Sequence, residues 1–175
     1  MKKCLIVVDF QNDFIDGALG FEGAMDIKDN IIKKIKEYKT NNHDVIYTLD
    51  THNEDYLEGE EGKNLPVIHC VKGTHGHQVQ KDVLNELEEN DKSFIKYTFP
   101  SLELGIYLED KDYEVVELCG LVSNICVISN AVIAKSALPN AHIVVDNKAT
   151  ASFDPELHEK AMDVLEGLHV EVTNR

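Results

Sequence analysis

The chain has 175 residues, 43% of them hydrophobic and 28% charged, which suits one domain, 1–175, around a sizeable core. A formal net charge of −15, from 32 acidic and 17 basic residues, argues against nucleic acid or an anionic membrane as partner, because both need clustered cations. No apolar run approaches the roughly 18 residues that span a bilayer, the opening "MKKCLIVVDFQND" is too short in its apolar part for a signal peptide, and four irregularly spaced cysteines read as reduced thiols in a cytoplasm.

The elements follow in α/β rhythm. "CLIVVD" (Cys4–Asp9) is a first strand, a helix covers about Ile27–Asn41, and "DVIYTLD" (Asp44–Asp50) is a second strand. A polar loop over 53–64 leads to a helix near Gln78–Asn90, a short strand "FIKYT" (Phe94–Thr98) and a helix around Leu102–Glu109. "YEVVELCG" (Tyr113–Gly120) is the fourth strand, and Asn124–Leu138 a helix that stops before Pro139. "AHIVVDN" (Ala141–Asn147), a helix over Pro155–Glu166 opened by Asp154, and "HVEVT" (His169–Thr173) complete the pattern. Continuous rather than alternating apolar runs mark strands buried on both faces, so six parallel strands in a three-layer α/β/α sandwich are expected.

In such a sheet, ligands bind beyond the carboxyl ends of the strands. Strand one ends in Asp9, strand two in Asp50 with His52 close behind, strand three carries Lys96, and strand four leads into the turn holding Cys126. A buried small hydrophobe is the ordinary role of a free cysteine, and Cys119 fits it. Cys126 follows Gly120, Ser123 and Asn124, which signal a helix start, where the dipole and free N–H groups favour a thiolate. Asp9 then suits a proton acceptor and Lys96 a charge that holds it.

A second group is "DTH" (Asp50–His52) with "IHC" (Ile68–Cys70). A carboxylate and two imidazoles, Asp50, His52 and His69, suit a divalent transition metal such as Zn, Fe or Mn. His75 and His77 are competing candidates, and a surface-loop role for these histidines is the other reading of the spacing.

Five segments carry a family resemblance: "VVDFQNDFIDGALGFEGA", "YTLDTHNEDY", "EGKNLPVIHCVKGTHG", "IKYTFPS" and "LCGLVSNICVISNA". In these the chain resembles the isochorismatase-like cysteine hydrolases, and within them the nicotinamidase (pyrazinamidase) branch, over essentially its whole length. The resemblance implies a Rossmann-like sheet of order 3-2-1-4-5-6, an Asp–Lys–Cys triad on Asp9, Lys96 and Cys126, and metal ligands Asp50, His52 and His69, with zinc favoured; in some relatives a Glu of the intervening loop joins them, and Glu61 is its nearest match here. It implies a non-proline cis peptide at Val122–Ser123, aiming the Val122 and Cys126 N–H groups at one oxyanion, and a dimer or tetramer. The expected reaction is hydrolysis of a small carboxamide, nicotinamide to nicotinate and ammonia, through a cysteine thioester. The alternatives are another small amide, such as a ureido or carbamoyl compound, or an idle binding protein on this fold. The turn Val-Ser-Asn departs from the usual small residue, Thr and Asp, and the chain has no Trp. Phe14, Tyr97 and Phe99 are therefore the aromatics expected against a pyridine ring, with Val122 beside them.

Overall fold

The computed structural model describes residues 1–175. Its elements, in chain order, are β1 (Lys3–Val8), α1 (Lys28–Thr40), β2 (Asp44–Asp50), α2 (Glu60–Asn64), α3 (Lys81–Leu84), β3 (Lys92–Lys96) and α4 (Leu102–Glu109). They continue with β4 (Val115–Leu121), a π-helical turn (Ser123–Val127), α5 (Ile128–Ala137), β5 (His142–Ala151), α6 (Pro155–Gly167) and β6 (Glu171–Thr173). The six strands form one sheet in the order β3-β2-β1-β4-β5-β6, every pair parallel. The expected order and class are both found.

Alternation within β1 divides the core. Cys4, Ile6 and Val8 face a cluster with Leu104 and Leu108 of α4, Ala131 and Ala134 of α5, and Met162 and Leu165 of α6. Leu5 and Val7 face the other layer, where Ile31, Ile35 and Tyr38 of α1 pack. Both faces of β1 are therefore dry, which is why the run reads as continuously apolar.

Two expectations change. The helix expected over Gln78–Asn90 shrinks to α3, four residues capped by the Gln80 side chain, because the acidic run behind it is exposed and turns to accept Lys36 and Lys39 of α1. The helix expected from Asn124 opens instead as a π turn and becomes α-helical only at Ile128.

Lys34 of α1 forms a half-buried anchor to the sheet. Its ammonium lies 2.7 Å from Glu117 of β4 and 2.5 Å from Asp146 of β5. Tyr38 donates to the second Glu117 oxygen, and Asn174 and the Lys148 N–H donate to Asp146 Oδ1.

Gly120 sits where β4 touches β1. Its φ is +108°, and a Cβ there would lie 2.0 Å from the Val8 carbonyl oxygen. Only glycine allows both the backbone conformation and the approach. The cis peptide follows directly, at Leu121–Val122 rather than the expected Val122–Ser123. The strand runs one residue further than its sequence suggests, and the bond lies at its true end.

Candidate active site

Four strand ends meet at one rim. Asp9 follows β1, Asp50 closes β2, Lys96 closes β3, and Cys126 sits on the π turn after β4. Asp50 and Lys96 are paired in register across β2 and β3, so the sheet itself places the carboxylate beside the ammonium.

Lys96 is the hub. Its Nζ lies 2.6 Å from Asp9 Oδ2, 3.1 Å from Asp50 Oδ1 and 3.5 Å from Cys126 Sγ, and it donates to the Thr98 carbonyl at 3.0 Å. An ammonium has three protons and here has four neighbours. Asp50, Thr98 and Cys126 take the aligned bonds, while Asp9 Oδ2, despite its short ion-pair distance, has no well-oriented donor. The other Asp9 oxygen accepts from Thr48 Oγ1 at 2.6 Å, and the Asp9 N–H donates back to that hydroxyl at 3.2 Å. Asp9 adopts φ +45°, a left-handed conformation that aspartate tolerates better than most side chains.

These groups are almost wholly removed from water, and that decides their protonation. Burial pushes the Asp9 carboxyl above its ordinary value, against the pull of Lys96. Burial works against the Lys96 ammonium too, but the charges of Asp9, Cys126 and Asp50 outweigh it, so the lysine stays charged. Burial drives the Cys126 thiol well above the usual range; Lys96 pulls it down, and Asp9 and Asp50 push it up again. Burial thus opposes the thiolate that the helix start favours. Cys126 is 6% exposed and packs within the apolar core, where desolvation outweighs the dipole. A thiol in that state needs a base at hand, and Asp9 shares the Lys96 ammonium with it.

The other cysteines are inert by their surroundings. Burial pushes the Cys4, Cys70 and Cys119 thiols up, and only Cys126 has an ammonium at its sulfur.

Beside the triad, Asp50, His52, Glu61 and His69 converge, one ligand atom from each lying within 4.8 Å of all the others. Asp50 Oδ2 is 3.0 Å from His52 Nε2 and 3.3 Å from His69 Nε2, and Glu61 Oε1 is 3.6 Å and 3.8 Å from the same nitrogens. A tetrahedral zinc bound at its usual lengths has ligand–ligand edges of about 3.3–3.5 Å, so the spacing fits. Glu61 Oε2 is buried without a partner, as an acceptor awaiting a cation would be. His69 Nδ1 lies 2.7 Å from the Val67 carbonyl, which orients the ring with Nε2 toward Asp50 and Glu61. Burial opposes ionisation of Asp50, but hydrogen bonds from His52 and His69 and the charge of Lys96 hold it well below the carboxylate range. His75 is exposed and His77 Nε2 faces Thr51 Oγ1 at 2.8 Å, so neither joins the cluster.

A cavity of about 540 Å³ opens beside this cluster, lined by His52, Tyr56, Glu61, Tyr97 and Thr98 among others. Phe14 meets the edge of the His69 ring at 5.7 Å. Tyr97 borders the cavity but is 70% exposed, Phe99 is 41% exposed, and Val122 is buried next to the π-helical turn. Tyr56, which sequence reasoning passed over, stands closer than either exposed aromatic: its ring is 4.6 Å from His52 and 5.0 Å from His69. Gln11 was also missed. It is fully buried, accepts from the Asp50 N–H at 2.8 Å and donates to the Asp50 and His77 carbonyls at 2.9 and 2.8 Å. A lone amide in a polar stretch gives no advance sign of this. Ser123, at the start of the π turn, is paired with His158 of α6 at 2.8 Å, whose other nitrogen meets Asn147 at 2.7 Å.

The chain is similar to known proteins along its length. It is 32% identical over 174 residues, 93% of each chain, to the isochorismatase family protein PncA of Bacillus subtilis. The crystal structure of the nicotinamidase/pyrazinamidase PncA from that organism matches at TM-score 0.86 and 28% identity, covering 98% of this chain and 99% of that one. The pyrazinamidase of Pyrococcus horikoshii in complex with zinc shares the fold at TM-score 0.85 and 23% identity, with 100% of each chain covered. The N-carbamoylsarcosine amidase of Thermoplasma acidophilum matches at TM-score 0.80 and 25% identity over 98% of this chain and 95% of that one. The isochorismatase domain model matches residues 3–175, and the chain belongs to that family.

Proposed function

We propose that this protein hydrolyses small carboxamides, with nicotinamide, giving nicotinate and ammonia, as the main substrate. The observation that carries the reading is the meeting of Asp9, Lys96 and Cys126 at one rim, Sγ 3.5 Å from the ammonium that also holds Asp9. The likeness to the nicotinamidase/pyrazinamidase of Bacillus subtilis supports the choice of amide.

Asp9 accepts the thiol proton as Cys126 Sγ bonds to the carboxamide carbon. The protonated Asp9 then delivers that proton to the departing nitrogen, the C–N bond breaks, and ammonia leaves a thioester on Cys126. Water attacks the thioester with its proton passing to Asp9, the C–S bond breaks, and the proton returns to the sulfur. Lys96 keeps Asp9 in place and offsets the negative charge that forms at the sulfur. Asp50, His52, His69 and Glu61 would hold a divalent metal, zinc by preference, which supplies an electrophilic anchor for a ring nitrogen or for bound water. Phe14 and Tyr56 stand where an aromatic ring beside those ligands would pack.

The second reading, a carbamoyl or ureido amide, draws on the likeness to the N-carbamoylsarcosine amidase. Ammonia release over a panel of nicotinamide, pyrazinamide and N-carbamoyl amino acids, with and without chelator, separates the two. Nicotinamide turnover that falls with chelation is expected. Turnover confined to the carbamoyl compounds would replace the first reading by the second, and no turnover of any amide would remove both.

A further inference from the structure

Lys96 and Cys126 come from different elements, so something must set the distance between them. The loop that leaves β3 runs from Tyr97 to Ser101 and is largely exposed up to Phe99, the kind of segment that seldom holds a side chain to a fraction of an ångström. Behind it stands Asn130 of α5, 0% exposed, with every polar valence of its amide spent on backbone. Its Oδ1 accepts from the Ser101 N–H at 3.0 Å, and its Nδ2 donates to the Phe99 carbonyl at 3.1 Å and to the Cys126 carbonyl at 2.8 Å. One N–H and two carbonyls leave a single orientation for the amide.

The bonds close a circuit. Cys126 is tied through its carbonyl to Asn130, Asn130 to Phe99, Phe99 is bonded through one peptide to Thr98, and the Thr98 carbonyl holds Lys96 Nζ, which returns to Cys126 Sγ. Ser101, the far anchor, also caps α4 by accepting from the Leu104 N–H, so the loop is fastened at both ends. We propose that Asn130 is a positioning residue that fixes the Lys96 ammonium against the Cys126 sulfur by strapping the loop after β3 to the nucleophile turn. The inference rests on the reading of Cys126 as the nucleophile. No other side chain substitutes fully: leucine fills the space but orphans three backbone groups, threonine offers one donor and one acceptor, and glutamine is a methylene too long.

The test compares Asn130→Leu and Asn130→Thr with the wild type in metal-loaded protein. Nicotinamide kcat and KM are measured together with the rate of iodoacetamide labelling at Cys126, and metal content and Tm are recorded on the same samples. Displacement of reacting groups by about an ångström costs roughly 10²-fold, so Asn130→Leu should lose about that factor in kcat with little change in KM. Labelling should slow in parallel as the ammonium that favours the thiolate moves away, and Asn130→Thr should fall between. If the leucine variant does not fold, the threonine variant carries the comparison. A folded variant with wild-type kcat and labelling rate overturns the proposal, and so does a loss of kcat with labelling unchanged. A wild type that labels at Cys126 but turns over no nicotinamide defeats the functional reading alone, since the labelling comparison still decides the strap.

Discussion

Two of the molecule's lysines, Lys34 half-buried and Lys96 buried, are each clasped by two carboxylates, and their surroundings differ. Lys34 meets Asp146 and Glu117 at 2.5 and 2.7 Å; Lys96 meets Asp9 and Asp50 at 2.6 and 3.1 Å. In the Lys34 group the acceptors are saturated, with Tyr38, Asn174 and the Lys148 N–H filling the remaining positions. In the Lys96 group a thiol has been added and one Asp9 oxygen is left without an aligned donor. Solvent access differs as well: the Lys34 side chain is 17% exposed, that of Lys96 1%. Burial alone works against ionisation of Asp146, yet the donors around it hold it below the carboxylate range, whereas Asp9 ends above it. The same three charges are fully satisfied in one place and leave one carboxylate oxygen unpaired, in a group that includes a thiol, in the other.

The largest effect should come from removing the sulfur. Cys126→Ala is expected to lower kcat by roughly 10⁴–10⁶-fold, the scale seen when a nucleophile is deleted. Cys4→Ala, Cys70→Ala and Cys119→Ala should keep activity, and mass spectrometry after brief iodoacetamide treatment should find the label at Cys126. Preferential labelling of another cysteine with activity retained would undo the assignment.

Next in size is the relay. Asp9→Asn keeps the shape but cannot take the proton, so turnover should drop about 10²–10⁴-fold with KM changed much less. Lys96→Met should also lower kcat, and the double variant should lose less than the product of the single losses because the two act as a unit. An Asp9→Asn protein hydrolysing nicotinamide at the full rate would take Asp9 out of the mechanism.

A smaller but separable effect belongs to the neighbouring ligands. His52→Ala and His69→Ala should lose bound metal on elemental analysis, and Glu61→Gln should weaken affinity by about 10–100-fold, in the range for groups that support a site. Full metal content in both histidine variants would show the ligand set to be wrong.

The saturated lysine supplies the control. Asp146→Asn should leave kcat unchanged and lower stability by about 1–3 kcal/mol at pH 7. The sign follows from the depressed pKa of Asp146: its contribution is complete above the unfolded value of about 4 and is withdrawn as the pH falls through the lower folded value. Wild type and variant should therefore converge in denaturant midpoint under strongly acidic conditions. A gap that persists there would mean the loss is one of packing.

Most of this architecture was legible because it rests on strand ends. Asp9, Asp50, Lys96 and Cys126 each follow an apolar run, and parallel register leaves few places for them to go. Asp50, His52 and His69 were legible as a second cluster, and the structure brings Glu61 to them as well. The supporting groups were not. Gln11 and Asn130 reach backbone about thirty or more residues away, and Tyr56 joins His52 to the distant His69, so nothing in the neighbouring residues shows that a given amide or ring will be buried there. The exposed Tyr97 and Phe99 show the converse, aromatics that composition offered and loop geometry leaves half in water. The burial that opposes the Cys126 thiolate was hidden for the same reason, since a helix start is visible in sequence and the desolvation around it is not.

Gly120 has no side chain and touches nothing that reacts, yet at this point the fourth strand lies against the first with no room between. Its consequence is genetic. Loss-of-function alleles should gather at this codon as densely as at those of the reactive residues, because any added carbon meets the Val8 carbonyl and pries the base of the nucleophile turn from the strand that carries Asp9. Such alleles should behave as heat-sensitive or misfolded rather than as stable, inert proteins, and no second change in the pocket should suppress them.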